Sequence, residues 1–327
     1  MHRLDIVIVT PALADANNGN WQTARRWAGM LSGAYRVRLA SAWEQGDEAL
    51  MIALHARRSA GSLAAWHAQR PGRPSLLVLT GTDLYRDIAD NAAAQRSLHS
   101  ADRLVVLNEL GARQLPPPLR PKARVLLQSC TARRTLAKPR RHLRALMVGH
   151  LREEKSPQTF FEAARLLADR QDLRLDHVGA ALDATLGAQA RSLMATCPHY
   201  RWLGALPHAA TRRRIQAAHV LVHTSRMEGG AHVVIEALRS GTPVLASRID
   251  GNVGLLGEHY AGYFPVGDAH AVAALLRQSR DDPAMLAALQ NQCAARAPRF
   301  DPASERATLL ALVNDLLTRA TPPGARP

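Results

Sequence analysis

Residues 221–247 constrain this chain more than any other stretch. An apolar run ends at His223, Gly229-Gly230 permits a tight backbone path, and a helix-periodic segment covers 231–239. Ser240-Gly241 then stops the helix before a second apolar run at 243–246. The order is strand, turn, helix, strand, and the runs read as parallel strands covered on both faces. The layout also has a chemical use. The first amides of a helix are unpaired donors at the positive end of its dipole, which suits a phosphate. Glu228 precedes the helix and Glu236 lies inside it. A carboxylate can accept two hydroxyl hydrogen bonds from a vicinal diol, so Glu236 suits a ribose and Glu228 a sugar ring. The plain alternative makes Glu228 a helix cap and Glu236 a solvated helix residue.

The same alternation runs through the chain. In the first half, strands are expected at 4–10, 35–40, 49–55, 76–80, 101–107 and 125–128. Helices are expected at 21–31 with Asn20 as N-cap, at 61–69, and from Asn108 toward Pro116-Pro117-Pro118. The second half restarts with strands at 144–148, 173–178 and 220–223. Its helices are expected at 184–195, 209–217, 269–278, 283–296 and 302–319. Strands alternating with helices predict a doubly wound parallel sheet in each half. A chain of 327 residues is comfortable for two such domains, with a linker near 129–142.

Open parallel sheets bind ligands beyond the carboxyl ends of their strands. That places Gly81, Thr82 and Asp83 at a candidate site. The segment after the first strand lacks a dinucleotide fingerprint. Its loop amides with Asn18, Gly19, Asn20, Thr23 and Arg25 are either an anion site or a plain connection. After the strand at 144–148 comes a turn begun by Gly149. Arg152 and Lys155, three apart in it, can put two positive charges on one phosphate. Glu153 and Glu154 leave a surface salt bridge as the competing reading.

The formal charge of +15, from 42 Lys and Arg against 27 Asp and Glu, favours anionic partners. Nucleic acid is disfavoured, because the arginines are scattered and aromatics make up only 4% of the chain. The basic run from Arg133 to Arg144 reads as a solvated linker. Cys130, Cys197 and Cys293 have no paired spacing, and the 14 histidines form no familiar metal-ligand pattern, so no metal site is expected. The start has no signal-peptide core, and no stretch approaches the ~20 apolar residues of a membrane span. A soluble cytoplasmic protein without stable membrane insertion is the expectation.

As an ensemble, Glu228, seven residues, Glu236, the turn Ser240-Gly241-Thr242-Pro243 and the strand Val244-Leu245-Ala246-Ser247 resemble the signature of the family 4 glycosyltransferases. The resemblance implies an α/β GT-B fold: two doubly wound Rossmann-like domains facing a central cleft. The acceptor would lie on 1–140 and the nucleotide sugar on 141–301, with the helix 302–319 packing back on the first domain. It further implies that Arg152 and Lys155 neutralise the leaving diphosphate, that Glu236 holds the ribose and Glu228 the transferred sugar. Gly149 and the amides of Gly229, Gly230 and Ala231 would belong to the nucleotide-sugar site, the amides meeting the diphosphate or sugar, and backbone groups near Leu206 would read uracil. No cofactor is implied, UDP-sugar being the donor substrate, and activity would be metal-independent. Two departures stand out. Gly230-Ala231-His232 replaces a common aromatic or glycine, and Thr80-Gly81 replaces a common His-Gly pair.

For the acceptor, the first half offers no matching His or Glu base, which a hydroxyl acceptor usually wants. A small anionic nucleophile needs none. The strings 17–24, 79–85 and 226–232 look like those of the selenosugar synthases of selenoneine biosynthesis. That resemblance implies transfer of a hexosyl group, notably N-acetylglucosaminyl, from a UDP-sugar to selenophosphate, with release of UDP and phosphate. Asn18, Gly19, Asn20, Thr23, Arg25, Gly81, Thr82 and Asp83 are then the acceptor candidates. Transfer to a lipid or polysaccharide hydroxyl, a nucleotide-sugar epimerase or phosphorylase, and a non-enzymatic nucleic-acid-binding module remain open.

Overall fold

The computed structural model describes residues 3–11 and 19–320, which form two compact units, 3–128 with 302–320 and 129–301. Residues 129–140, assigned to the first domain from sequence, make their contacts within the second unit. Arg133 N donates to Arg239 O at 2.8 Å and Gln216 Nε2 to Arg134 O at 2.8 Å. Lys138 is bonded to Gln216 O, and its pKa is pushed down to about 8 by burial and the like charge of Arg144. The segment expected as a solvated linker is therefore strapped along one unit.

In the first unit the elements run β1 (Asp5–Val9), α1 (Gly19–Leu31), β2 (Arg36–Ala40), β3 (Leu50–Leu54), α2 (Ala60–Gln69) and β4 (Ser75–Leu79). Then come a π-helical turn Asp83–Asp87, α3 (Ile88–Asp90), α4 (Ala92–Ser100), β5 (Arg103–Val106) and β6 (Ala123–Val125). All strands are parallel, in the order β2-β1-β3-β4-β5-β6. The period of two explains the continuous apolar runs. Val7, Val9, Met51, Ala53, Leu77 and Leu79 pack to one face with Trp43 and Trp66. Ile6, Ile8, Ile52, Leu76 and Val78 pack to the other with Trp27 and Leu309.

Three stretches of the first unit fold differently from their sequence pattern. Asn20 is inside α1, whose described part already begins at Gly19, so it is no N-cap. From Asn108 there is no α-helix, only two 3-10 turns, Gly111–Gln114 and Pro117–Lys122. Prolines cannot donate to a helix ladder, and Asn108 Oδ1 accepts from Leu110 N at 2.9 Å, closing a turn instead. The last strand of the sheet is at 123–125 rather than 125–128.

The second unit runs β7 (Leu143–Val148), α5 (Pro157–Leu166), β8 (Leu173–Val178), α6 (Ala184–Thr196), β9 (Tyr200–Trp202), α7 (His208–Ala217) and β10 (Val220–His223). It continues through α8 (His232–Leu238), β11 (Val244–Ser247), α9 (Asp250–Leu256), β12 (Tyr263–Phe264), α10 (Ala269–Asp281) and α11 (Pro283–Arg296). This sheet is also parallel throughout, ordered β12-β11-β10-β7-β8-β9, the doubly wound order of a Rossmann domain. The chain then enters α12 (Pro302–Ala320), which packs on the first unit. There the fully buried Glu305 carboxylate accepts from Trp27 Nε1 at 2.7 Å and from Arg26 Nη2 at 3.0 Å. Among the described residues no helix is long and apolar enough to cross a membrane.

Strand order locates the sites. It reverses between β7 and β10 in the second unit and between β1 and β3 in the first, and ligands of open α/β sheets bind beyond the carboxyl ends at such points.

Candidate functional site

In the second unit, the turn after β7 and the turn after β10 meet at the reversal point. Lys155 Nζ, at the end of a 3-10 turn Glu153–Lys155, binds Glu228 Oε1. His223 Nε2, on the last residue of β10, stands 3.4 Å from the same oxygen. Only 17% of the Lys155 side chain and 13% of that of Glu228 is exposed. Burial acts to raise the Glu228 pKa, but the Lys155 charge and His223 outweigh it and hold the carboxyl well below the usual range. The two turns are tied by backbone as well. Thr224 Oγ1 donates to Lys155 O at 2.8 Å, and Arg226 N to Glu154 O at 2.9 Å. Ser156, next to Lys155, sits in the left-handed region at φ 45°, a conformation costing about 1–3 kcal/mol that surrounding structure must impose.

Close backbone approach sets both turns. A Cβ on Gly251, in the first turn of α9, would lie 2.0 Å from Glu228 O. A Cβ on Gly179, just past β8, would lie 1.9 Å from Gly149 O. His177, wholly buried on β8, holds the same carbonyl, with Nε2 at 3.1 Å from Gly149 O and Nδ1 at 3.1 Å from the Tyr200 hydroxyl. A carbonyl only accepts, so Nε2 carries the proton and Nδ1 accepts from Tyr200. Burial pushes the His177 pKa down to about 4 against the opposing pull of the Gly149 bond. His150 Nδ1 accepts from Ala180 N at 3.0 Å, and its pKa is lowered by burial and by the charges of Arg152 and Lys155. Arg152 does not converge with Lys155: it is 44% exposed, with Nε 3.9 Å from Glu154 Oε2.

Glu236 forms a second cluster on α8. It is 2% exposed, which overturns the solvated-helix alternative. Its Oε1 accepts from His208 Nε2 at 2.6 Å, with His232 Nδ1 at 3.4 Å and Arg212 Nε at 3.8 Å. Burial would raise its pKa, but His208 and His232 bring it to about 2. Nor does Glu228 cap α8, since Ala231 is the N-cap and no side chain bonds there. Gly229 and Ala231 are buried, Gly230 and Leu206 half-buried.

The sequence reading missed His208, His223 and His177 as participants. His232 is four residues before Glu236, a helical neighbour spacing that could have paired them. His208 is 28 residues from Glu236 and leaves no local signal.

The first-unit candidates do not form one cluster. Asn18 lies outside the described residues. Gly19 is exposed and Asn20 half-buried. Thr23 is 4% exposed, and its hydroxyl donates to Gly19 O at 2.9 Å while accepting from Gln128 Nε2 at 2.6 Å, so it is a packing residue of α1. Arg25 is exposed, about 200° around the helix from Thr23. Asp83 is fully buried and its carboxylate takes the N–H groups of Thr80, Gly81 and Ala56 at 2.8–2.9 Å. That is a structural tie of the turn after β4. Thr82 is half-buried beside His55, Oγ1 at 3.2 Å from Nε2.

His55, at the carboxyl end of β3, was not expected. It is 3% exposed and holds φ 77°. Its Nδ1 accepts from Arg58 N at 3.4 Å, so Nε2 bears the proton toward Thr82. Burial lowers its pKa against the opposing pull of Asp83 and Asp87, and its Nδ1 lone pair faces Arg58 N. Among the described residues no group of His, Cys, Asp and Glu is placed to hold a metal ion, and the three cysteines are buried and form no disulfide.

Residues 130–299, just over half of the chain and all of the geometry around Lys155, Glu228 and Glu236, match the model of the family "Glycosyl transferases group 1". The chain belongs to the group 1 glycosyltransferases. As a group 1 glycosyltransferase it is 32% identical over 182 residues to the D-inositol 3-phosphate glycosyltransferase of Streptomyces avermitilis, a match covering 52% of this chain. The chain spans only 39% of that relative's length. Solved structures agree in fold. Anabaena HepE in complex with UDP-glucose superposes with a TM-score of 0.77 at 14% identity, covering 96% of this chain and all of that one. Sucrose-phosphate synthase from Thermosynechococcus elongatus gives 0.77 at 16% identity, covering 97% and 100%. The pneumococcal O-GlcNAc transferase GtfA, in complex with UDP and GlcNAc, gives 0.63 at 17%, covering 82% and 57%. The two Rossmann-like units of this group 1 glycosyltransferase are thus those of the GT-B class.

Proposed function

We propose that the protein transfers a hexosyl group, N-acetylglucosaminyl first among them, from a UDP-sugar to selenophosphate. The observation that carries the donor half is the Lys155–Glu228 pair at the β7/β10 reversal point, inside the segment matched to the family. At rest the ammonium is neutralised by the carboxylate. A donor diphosphate arriving there competes for Lys155, with Arg152 swinging in from solvent, and releases Glu228 to accept the hexose hydroxyls. Gly149 and the amides of Gly229, Gly230 and Ala231 give the diphosphate close backbone approach, Glu236 takes the ribose, and the backbone at Leu206 takes uracil. Stabilising the leaving group by fixed charges needs no metal.

The acceptor half rests on the resemblance of 17–24, 79–85 and 226–232 to selenosugar synthases and on the engaged lone pair of His55. With the His55 Nδ1 lone pair turned to Arg58 N and Nε2 turned to Thr82, an acceptor that is already anionic fits better than a hydroxyl. The selenium of selenophosphate forms a bond to the anomeric carbon as the bond from that carbon to the diphosphate oxygen breaks and UDP departs. Water then cleaves the Se–P bond to give phosphate and the selenosugar.

Mass spectrometry of products from a panel of UDP-sugars, with and without selenophosphate, tests this. A selenohexose formed only with both substrates is expected, unaffected by EDTA. Hexose appearing instead on a lipid or polysaccharide hydroxyl, or UDP-sugar converted without selenophosphate, would contradict it.

A further inference from the structure

Glu236 presents a conflict for the proposed nucleotide site, and the role of its neighbours rests on that site being placed correctly. A carboxylate meant to accept ribose hydroxyls is only 3% exposed, and its Oε1 is surrounded. The three groups around it differ in how they are held. Arg212 is 7% exposed and its Nη2 donates to Thr131 O at 3.0 Å. His232 is 28% exposed and its Nε2 is 3.1 Å from Ser129 O. Each is anchored through a second atom to the segment that begins the second unit. His208 makes the shortest of the three approaches, at 2.6 Å, yet its side chain is 57% exposed and has no second partner among the described residues.

We propose that His208 sets nucleotide affinity by occupying Oε1, one of the two oxygens that a ribose diol needs, so that a nucleoside diphosphate seats both its ribose hydroxyls on Glu236 only by rotating this imidazole off. The geometry suits that role. His208 opens α7, directly after Leu206-Pro207, where the uracil would be read, so a nucleotide lying along that segment brings its ribose to the imidazole. Staggered alternatives about the Cα–Cβ bond carry an exposed ring into solvent at little cost. Arg212 and His232 stay behind and keep the carboxylate ionised and oriented, so the bond passes from imidazole to ribose without leaving a buried charge unpaired.

The test is calorimetric titration of the full chain with UDP and with 2′,3′-dideoxyuridine diphosphate, which lacks both ribose hydroxyls. His208→Ala removes the competitor from an exposed position and should not disturb folding. Its loss also alters the local potential, but that acts on both nucleotides alike and cancels in their ratio. The preference for UDP over the dideoxy nucleotide should rise by roughly fivefold in His208→Ala, the scale of one net hydrogen bond. An unchanged or smaller preference would overturn the role of His208. A His208→Ala protein that binds the two nucleotides equally would instead overturn the placement of the ribose on Glu236, whereas a preference for UDP that is present in both proteins and unchanged between them would overturn only the role of His208, and the two failures are thereby distinct.

Discussion

Lys155 and Glu228 are each other's main electrostatic partner at the reversal point, and neither is exposed enough for water to take over. Lys155→Ala removes the charge expected on the leaving diphosphate and leaves a buried carboxylate with only His223 beside it. A fall in kcat of about 10²–10³ is expected from the first effect. A stability loss of about 3 kcal/mol is expected from the second. Steady-state kinetics and urea unfolding separate them, and Lys155→Ala with undiminished turnover would remove it from the chemistry. Glu236 allows a pH test. Its folded pKa, about 2, is depressed below the ordinary carboxyl value, so its stabilisation is present above about pH 4.5 and is lost as pH falls toward 2. Glu236→Gln should lose part of that acid sensitivity in urea titrations at pH 5 and pH 3. A variant with the same pH slope as wild type would mean the carboxylate is not held as described.

At the scale of elements, the turn between β7 and α5 is shaped by its neighbours. His177 on β8 supplies the clearest handle. The folded protein refuses a proton that the unfolded chain takes up below about pH 6.5, so stability falls as pH drops from 6.5 to about 4, by about 3 kcal/mol in all. His177→Phe keeps the ring among Phe160, Phe161 and Tyr200 and should flatten that part of the profile. It should also raise KM for UDP-sugar by freeing the Gly149 carbonyl, and a variant with wild-type KM would limit His177 to packing. For α12, Glu305→Ala strands Arg26 and Trp27 Nε1 and should cost about 3–5 kcal/mol by chemical denaturation.

Elements of this kind were largely legible in the sequence, because a strand covered on both faces is a continuous apolar run and α11 has Pro283 to start it. The stretch after Asn108 was not, since its apolar spacing suggests a helix while the prolines and the Asn108 turn bond forbid one. Side-chain partnerships across long separations left no trace at all. Thr23 is consumed by Gln128, 105 residues away, and nothing local announces it. Glu236 was singled out by its spacing from Glu228, but the His208 that covers it was not.

At the scale of the whole molecule, two parallel sheets each reverse strand order once, and the second sheet carries the charged pair, the buried glutamate and the family match together. The net charge of +15 is consistent with anionic ligands but does not select them; in the proposed function that selection falls to Lys155, Glu228 and Glu236. Saturating UDP, at about 100 times its Kd, should stabilise the protein by about 2.7 kcal/mol. Amide hydrogen exchange with and without saturating UDP tests that placement most directly. Slowed exchange concentrated in 149–156, 203–208 and 223–236 is the predicted result, and UDP that protects other segments while leaving these unchanged would contradict the account.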